Sequence, residues 1–126
     1  MKPDLVTLFQ ALADRTRLRL LNLLCCGEVC VCYFVDILGE TQPKISRHLA
    51  YLRRAGLATA RREGKWIHYT LTRPASPAEA RVLDVTLEAI AADKQMQRDR
   101  QQLERICCGG KLTGPLQNAP KPHLHV

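Results

Sequence analysis

The chain has 126 residues, 46% of them hydrophobic and 25% charged, with a formal net charge of +7. That length suits one domain around one core, and a monomer this small gains useful apolar burial by dimerising. No stretch nears the roughly 18 apolar residues of a membrane span, and no signal peptide opens the chain, so a cytoplasmic protein without membrane partners is expected.

In chain order, Leu5, Val6, Leu8, Phe9 and Leu12 recur at spacings of three and four, which predicts a short amphipathic helix. Asp14 stands where an N-cap is wanted, ahead of a second helix from Arg15 to Cys26 with Leu18, Leu21 and Leu24 on its buried face and Gly27 as its stop. A third, short helix is predicted after Cys32, through Tyr33, Phe34, Ile37 and Leu38 to a stop near Gly39. Thr41 as cap and Pro43 in the first turn open a fourth helix. Its Ile45, Leu49 and Leu52 fall within about 60° on a helical wheel, opposite Lys44, Arg47, Tyr51 and Arg54.

Two strands follow, roughly Leu57–Arg62 and Trp66–Thr72, joined by Glu63-Gly64-Lys65. After a linker bounded by Pro74 and Pro77, Ser76 and Glu79 read as a capping-box pair. The helix they open is predicted to run unbroken to about Ile106, with an apolar surface that fits the equivalent helix of a second subunit. Glycines, prolines and lysines from Gly109 onward predict a disordered tail over 109–126, behind a domain spanning 1–108.

Helix, short helix, turn, basic helix and then a ribbon is the order of a winged helix-turn-helix, mostly α with a small β-hairpin wing. Between Thr41 and His68 seven basic residues stand against Glu63 alone, the electrostatic footprint of phosphate binding. Gln42, Lys44, Ser46 and Arg47 are the candidate base-edge or phosphate contacts. Arg53, Arg54, Arg61, Arg62, Lys65 and His68 are assigned to phosphates, and His48 to packing or phosphate. Trp66 reads as core.

Six cysteines stand at 25, 26, 30, 32, 107 and 108. Reduced, clustered thiols in a cytosolic chain point to metal or metalloid binding rather than disulfides. Cys30 and Cys32, separated by one residue, form a compact chelating pair for a soft ion, whereas Cys25 and Cys26 read as small fillers ending a leucine-rich helix. Residues two apart on a helix point to nearly opposite sides, so capture by this pair is expected to unwind the start of the third helix.

Gln42-Pro43-Lys44-Ile45-Ser46-Arg47-His48-Leu49, with Leu52-Arg53 and Ala55-Gly56-Leu57, resembles the recognition region of the ArsR/SmtB repressors. Ala11-Leu12-Ala13-Asp14-Arg15-Thr16-Arg17-Leu18 resembles their N-terminal signature, and Arg62-Glu63-Gly64-Lys65-Trp66-Ile67-His68-Tyr69 their wing. Glu28-Val29-Cys30-Val31-Cys32 is similar to the metal-binding box of the arsenic-responsive branch. The resemblance implies a homodimeric repressor, dimerising through N- and C-terminal helices. It implies an inverted-repeat operator from which trivalent arsenic or antimony, arsenite foremost, releases the protein.

Where that branch carries a further cysteine, this chain has Val35, so the pair is one thiolate short of the three that trivalent arsenic favours. Cys107 or Cys108, within or across the dimer, is the expected third ligand; Cys26 is the nearer alternative, and a methylated arsenical needs only two thiols. Cadmium held by Cys30, Cys32, Cys107 and Cys108, a zinc site, and an oxidant sensor are rival readings on the same fold. A thiol redox enzyme is disfavoured, because neither a Cys-x-x-Cys nor a Cys-x5-Arg loop is present.

Overall fold

Two aspartates begin the structure by capping helices. Asp4 accepts from the Thr7 amide at 2.9 Å and Asp14 from the Arg17 amide at 3.0 Å, which starts α1 (Leu5–Leu12) and α2 (Arg15–Leu24). This is a computed structural model, and it describes residues 4–108, Leu112 and 116–124. After α2 come β1 (Gly27–Cys30), α3 (Val31–Leu38) and α4 (Gln42–Arg54). The wing is β2 (Ala58–Glu63) and β3 (Trp66–Leu71), followed by α5 (Pro77–Ile90), α6 (Lys94–Cys108) and the short β4 (His123–Leu124).

One apolar core joins these elements. Leu20, Leu21 and Leu24 of α2 pack with Phe34 of α3 and with Ile45, Leu49 and Leu52 of α4, all buried. Gly39 ends α3 at φ 68°, a left-handed conformation that turns the chain sharply into α4 and sets the helix-turn-helix angle. The fold is mostly helical with an antiparallel wing, as expected.

The sheet is larger than the predicted hairpin, with strand order β2-β3-β1-β4. β1 pairs antiparallel with β3 through Val29↔Tyr69 and Cys30↔His68, and β4 covers the other edge of β1 through Gly27↔Leu124 and Glu28↔His123. Gly27 has φ 145°, and a Cβ there would lie 2.0 Å from the His123 carbonyl oxygen, so only glycine admits the crossing chain.

Three expectations differ from what is seen. The long C-terminal helix breaks after Ile90, because Asp93 accepts from the Met96 amide at 3.1 Å and caps a new helix. α6 then folds back on α2, clamped by the paired guanidinium nitrogens of Arg19 on the buried Asp99 at 2.8 and 3.0 Å. Ser76 and Thr41 hold N-cap positions, yet neither side chain makes the capping bond. Of the segment expected to be a disordered tail, residues 116–124 pack against the domain instead: Leu116 and Ala119 join the core and β4 pairs with β1. The remaining tail residues, apart from Leu112, lie outside the described residues.

Candidate functional site

The thiol pair sits where strand becomes helix. Cys30 ends β1 with extended backbone (φ -72°, ψ 145°) and is the N-cap of α3, while Cys32 lies in its first turn. Only one of the two is therefore helical, and their sulfurs stand 3.4 Å apart with Cys32 Sγ donating to Cys30 Sγ. No unwinding is needed to bring them together. The expectation of opposed side chains assumed a helix through both residues, whereas pairing of Cys30 with His68 holds the first cysteine in the sheet.

Donation from Cys32 holds the Cys30 thiol down, to about 6, and the Cys32 amide, His68 and the Ile67 amide act in the same direction against burial. Hydrogen bonding to Cys30 and burial push Cys32 far up. The pair thus presents one ready thiolate and one proton donor at neutral pH.

A cavity of about 110 Å3 is lined in part by Cys30 and Cys32. Val31, Trp66, Ile67 and Tyr69 supply walls from α3 and the wing. Gln42 and Ser46, near the start of the basic helix, complete the lining with Lys65 of the wing. One small space therefore adjoins the two cysteines, the wing and α4.

On the outer side of α4, Gln42, Lys44, Arg47, Arg53 and Arg54 are exposed. An open groove of about 520 Å3 runs along Lys44, Arg47, His48, Tyr51 and Arg54 to Arg17 on α2. Arg17 and Tyr51 were absent from the sequence-based site. The Arg17 guanidinium lies 4.2 Å from the Tyr51 ring centroid and donates to the Gln10 and Ala11 carbonyls at 2.8 and 2.9 Å. The signal for it was an arginine one turn into a helix that follows the end of another.

Other assigned residues take different places. His48 is half-buried, 3.7 Å from Asp14, and burial pushes it below its ordinary value, with Arg17, Lys44 and Arg47 acting likewise. It is a packing residue between α2 and α4. Arg62 and Lys65 are exposed on the wing, with Lys65 over the half-buried Trp66.

Arg61 and His68 depart from the phosphate assignment. Sheet register aligns Arg61, His68 and Cys30, so these side chains share the face that also carries Glu28. Arg61 grips Glu28 with two nitrogens at 2.7 and 3.2 Å. His68 is buried at 5% exposure, its Nε2 lacking a hydrogen-bond partner and 3.5 Å from Glu63 Oε1, so it cannot reach a phosphate from this position.

Cys107 and Cys108, the expected third ligands, end α6. Among the described residues no group of three His, Cys, Asp or Glu is placed to hold a metal ion. Cys107 Sγ lies 3.7 Å from the Pro122 carbonyl oxygen, and Lys121 donates to the Cys107 carbonyl at 3.2 Å. The Cys108 side chain lies outside the described residues.

Comparison with known proteins places this architecture. Residues 14–60 match the family described as bacterial regulatory protein, arsR family. The chain is 51% identical over 81 residues to the arsenical resistance operon repressor of Escherichia coli strain K12, covering 63% of this chain and 68% of that protein. Among solved structures it is similar to HlyU from Vibrio cholerae N16961, with TM-score 0.58 and 31% identity over 68% of this chain and 90% of that one. It is also similar to the AntR antimony-specific transcriptional repressor, with TM-score 0.55 and 34% identity over 71% of this chain and 79% of that one.

Proposed function

The chain belongs to the ArsR family of bacterial regulatory proteins, transcriptional regulators and not enzymes, and from that premise we propose that it is a metalloid-released repressor. It binds an inverted-repeat operator as a homodimer and lets go when trivalent arsenic or antimony is captured by Cys30 and Cys32. The observation that carries this reading is the 3.4 Å approach of the two sulfurs in a cavity shared with Gln42 and Ser46.

Two sulfurs this close suit joint capture of one thiophilic ion, and the likeness to arsenical and antimony repressors favours arsenic or antimony as that ion.

Release follows from shared walls. An ion held by both sulfurs occupies the space between α3, the wing and the first turn of α4, so α4 and the wing no longer keep the spacing that fits one groove. A hundredfold loss of operator affinity requires about 2.7 kcal/mol of coupling between the two sites. Lys44, Arg47, Arg53, Arg54, Arg62 and Lys65 supply the charge for phosphates, and binding weakens steeply with salt. The exposed Leu5, Val6 and Phe9 on α1 and Val85 on α5 are apolar surface suited to a second copy.

The test is arsenite titration of a protein–operator complex, followed by fluorescence anisotropy. Wild type dissociates, while Cys30→Ser and Cys32→Ser bind the duplex normally and stay bound. Unimpaired release in both variants would overturn the reading.

A further inference from the structure

The two sulfurs that meet at the strand-to-helix junction are also placed to bond to each other. They stand 3.4 Å apart, with Cys32 Sγ donating to Cys30 Sγ. A disulfide needs about 2.05 Å, so an approach of roughly 1.3 Å closes the gap. Cys26 and Cys107, in contrast, turn their sulfurs toward backbone carbonyls, of Asn22 at 3.9 Å and of Pro122 at 3.7 Å.

The backbone permits that approach. Cys30 is anchored in the sheet by its pairing with His68, so the movement falls to Cys32. Cys32 lies in the first turn of α3, where an amide has no helical carbonyl four residues back, and a small shift there breaks no helical bond from that amide. Cys32 is half-buried, and the cavity lined in part by both cysteines, about 110 Å3, has room for a molecule the size of hydrogen peroxide.

We propose that Cys30 and Cys32 are a modification site for hydroperoxides, closing to a disulfide that blinds the repressor to metalloid while leaving it on its operator. The blinding rests on capture by these two thiols; the bond itself does not. Cys30 Sγ, the acceptor of the Cys32 hydrogen bond, attacks hydrogen peroxide: an S–O bond forms, the O–O bond breaks, and the departing hydroxide takes the Cys30 proton as water. Cys32 Sγ then attacks the sulfenic sulfur: the S–S bond forms, the S–O bond breaks, and the hydroxyl leaves with the Cys32 proton as a second water. Two electrons pass from the sulfurs to the peroxide. With both thiols consumed, no As–S bond can form. Nothing has entered the cavity, so α4 and the wing keep their spacing and the DNA stays held. A disulfide closed across a single intervening residue is strained, which makes it readily reduced and the block reversible.

The experiment treats the reduced protein with hydrogen peroxide, removes the excess, and alkylates the remaining thiols of one portion for mass spectrometry. Operator binding and arsenite release are followed by anisotropy on the rest. Wild type should lose two hydrogens within the peptide carrying residues 30–32 and bind the operator within about twofold of the reduced protein. Its release should need at least about a hundredfold more arsenite, and a phosphine reductant, removed before the titration, should restore the response. Cys26→Ser should behave as wild type does, and Cys32→Ser should show no hydrogen loss. A peptide that keeps its hydrogens, or that pairs with another cysteine, overturns the proposal. So does oxidised protein that leaves the operator, or that answers arsenite as the reduced protein does. If arsenite fails to release even the reduced wild type, the capture reading falls and the blinding with it, while the peptide mass still decides whether the disulfide forms.

Discussion

Two cysteine pairs lie four residues apart in this chain and have opposite chemistry. Cys25 and Cys26 close α2 half-buried, and burial pushes both thiols up, opposed in part by Arg100. Cys30 and Cys32 straddle a strand-to-helix junction, where one thiol donates to the other and Cys30 is held down to about 6. Residue type is the same, and both pairs are compact in sequence. What differs is that the second pair has one member in a sheet and one in a helix, so its sulfurs meet.

The strongest way to break this comparison is to remove one sulfur from each pair. Cys30→Ser should raise the arsenite needed for operator release at least hundredfold, whereas Cys26→Ser should shift it less than about twofold. Comparable shifts for both would erase the distinction.

Gly27 separates the pairs and is the next target. Gly27→Ala places a methyl group against the His123 carbonyl in a backbone region that disfavours side chains. It should lower stability by about 2 kcal/mol in denaturant unfolding and expose the amides of residues 123 and 124 to hydrogen exchange.

A smaller effect sharpens the contrast in acidity. Alkylation by iodoacetamide should label Cys30 about tenfold faster at pH 7 than at pH 5, with little gain above, since the thiolate fraction saturates past a pKa near 6. Cys25 and Cys26 should stay slow until the pH exceeds 9. The same shifts bear on stability with opposite signs. Cys30, depressed in the fold, adds stability as pH rises from about 6 toward 9 and loses it as pH falls through 6. Cys25 and Cys26, raised in the fold, lose stability as pH climbs above 9. A melting-temperature profile in Cys30→Ser and Cys26→Ser backgrounds separates the two.

Local pattern made much of the fold legible. The apolar stripes of α1, α2 and α4, the Asp14 cap, the Gly39 stop and the alternation of Trp66 to Leu71 each follow from neighbouring residues. What escaped depends on partners distant in sequence. β1 is four residues long, too short to alternate visibly, and it exists because β3 and β4 flank it. The thiol geometry inherits that dependence, since pairing with His68 decides where α3 begins. His68 and Arg61 looked like wing charges, and only the register reveals that they face Glu28 and Cys30. The break at Asp93 was readable as an N-cap, but the apolar pattern runs on through Ile90 and Met96 and concealed it.

The central claim is that Cys30 and Cys32 take the metalloid, and X-ray absorption at the arsenic edge of the arsenite-loaded protein tests it most directly. The account predicts at least two sulfur neighbours in the wild type and a loss of sulfur neighbours in Cys30→Ser and in Cys32→Ser. Sulfur coordination unchanged by both substitutions would contradict it.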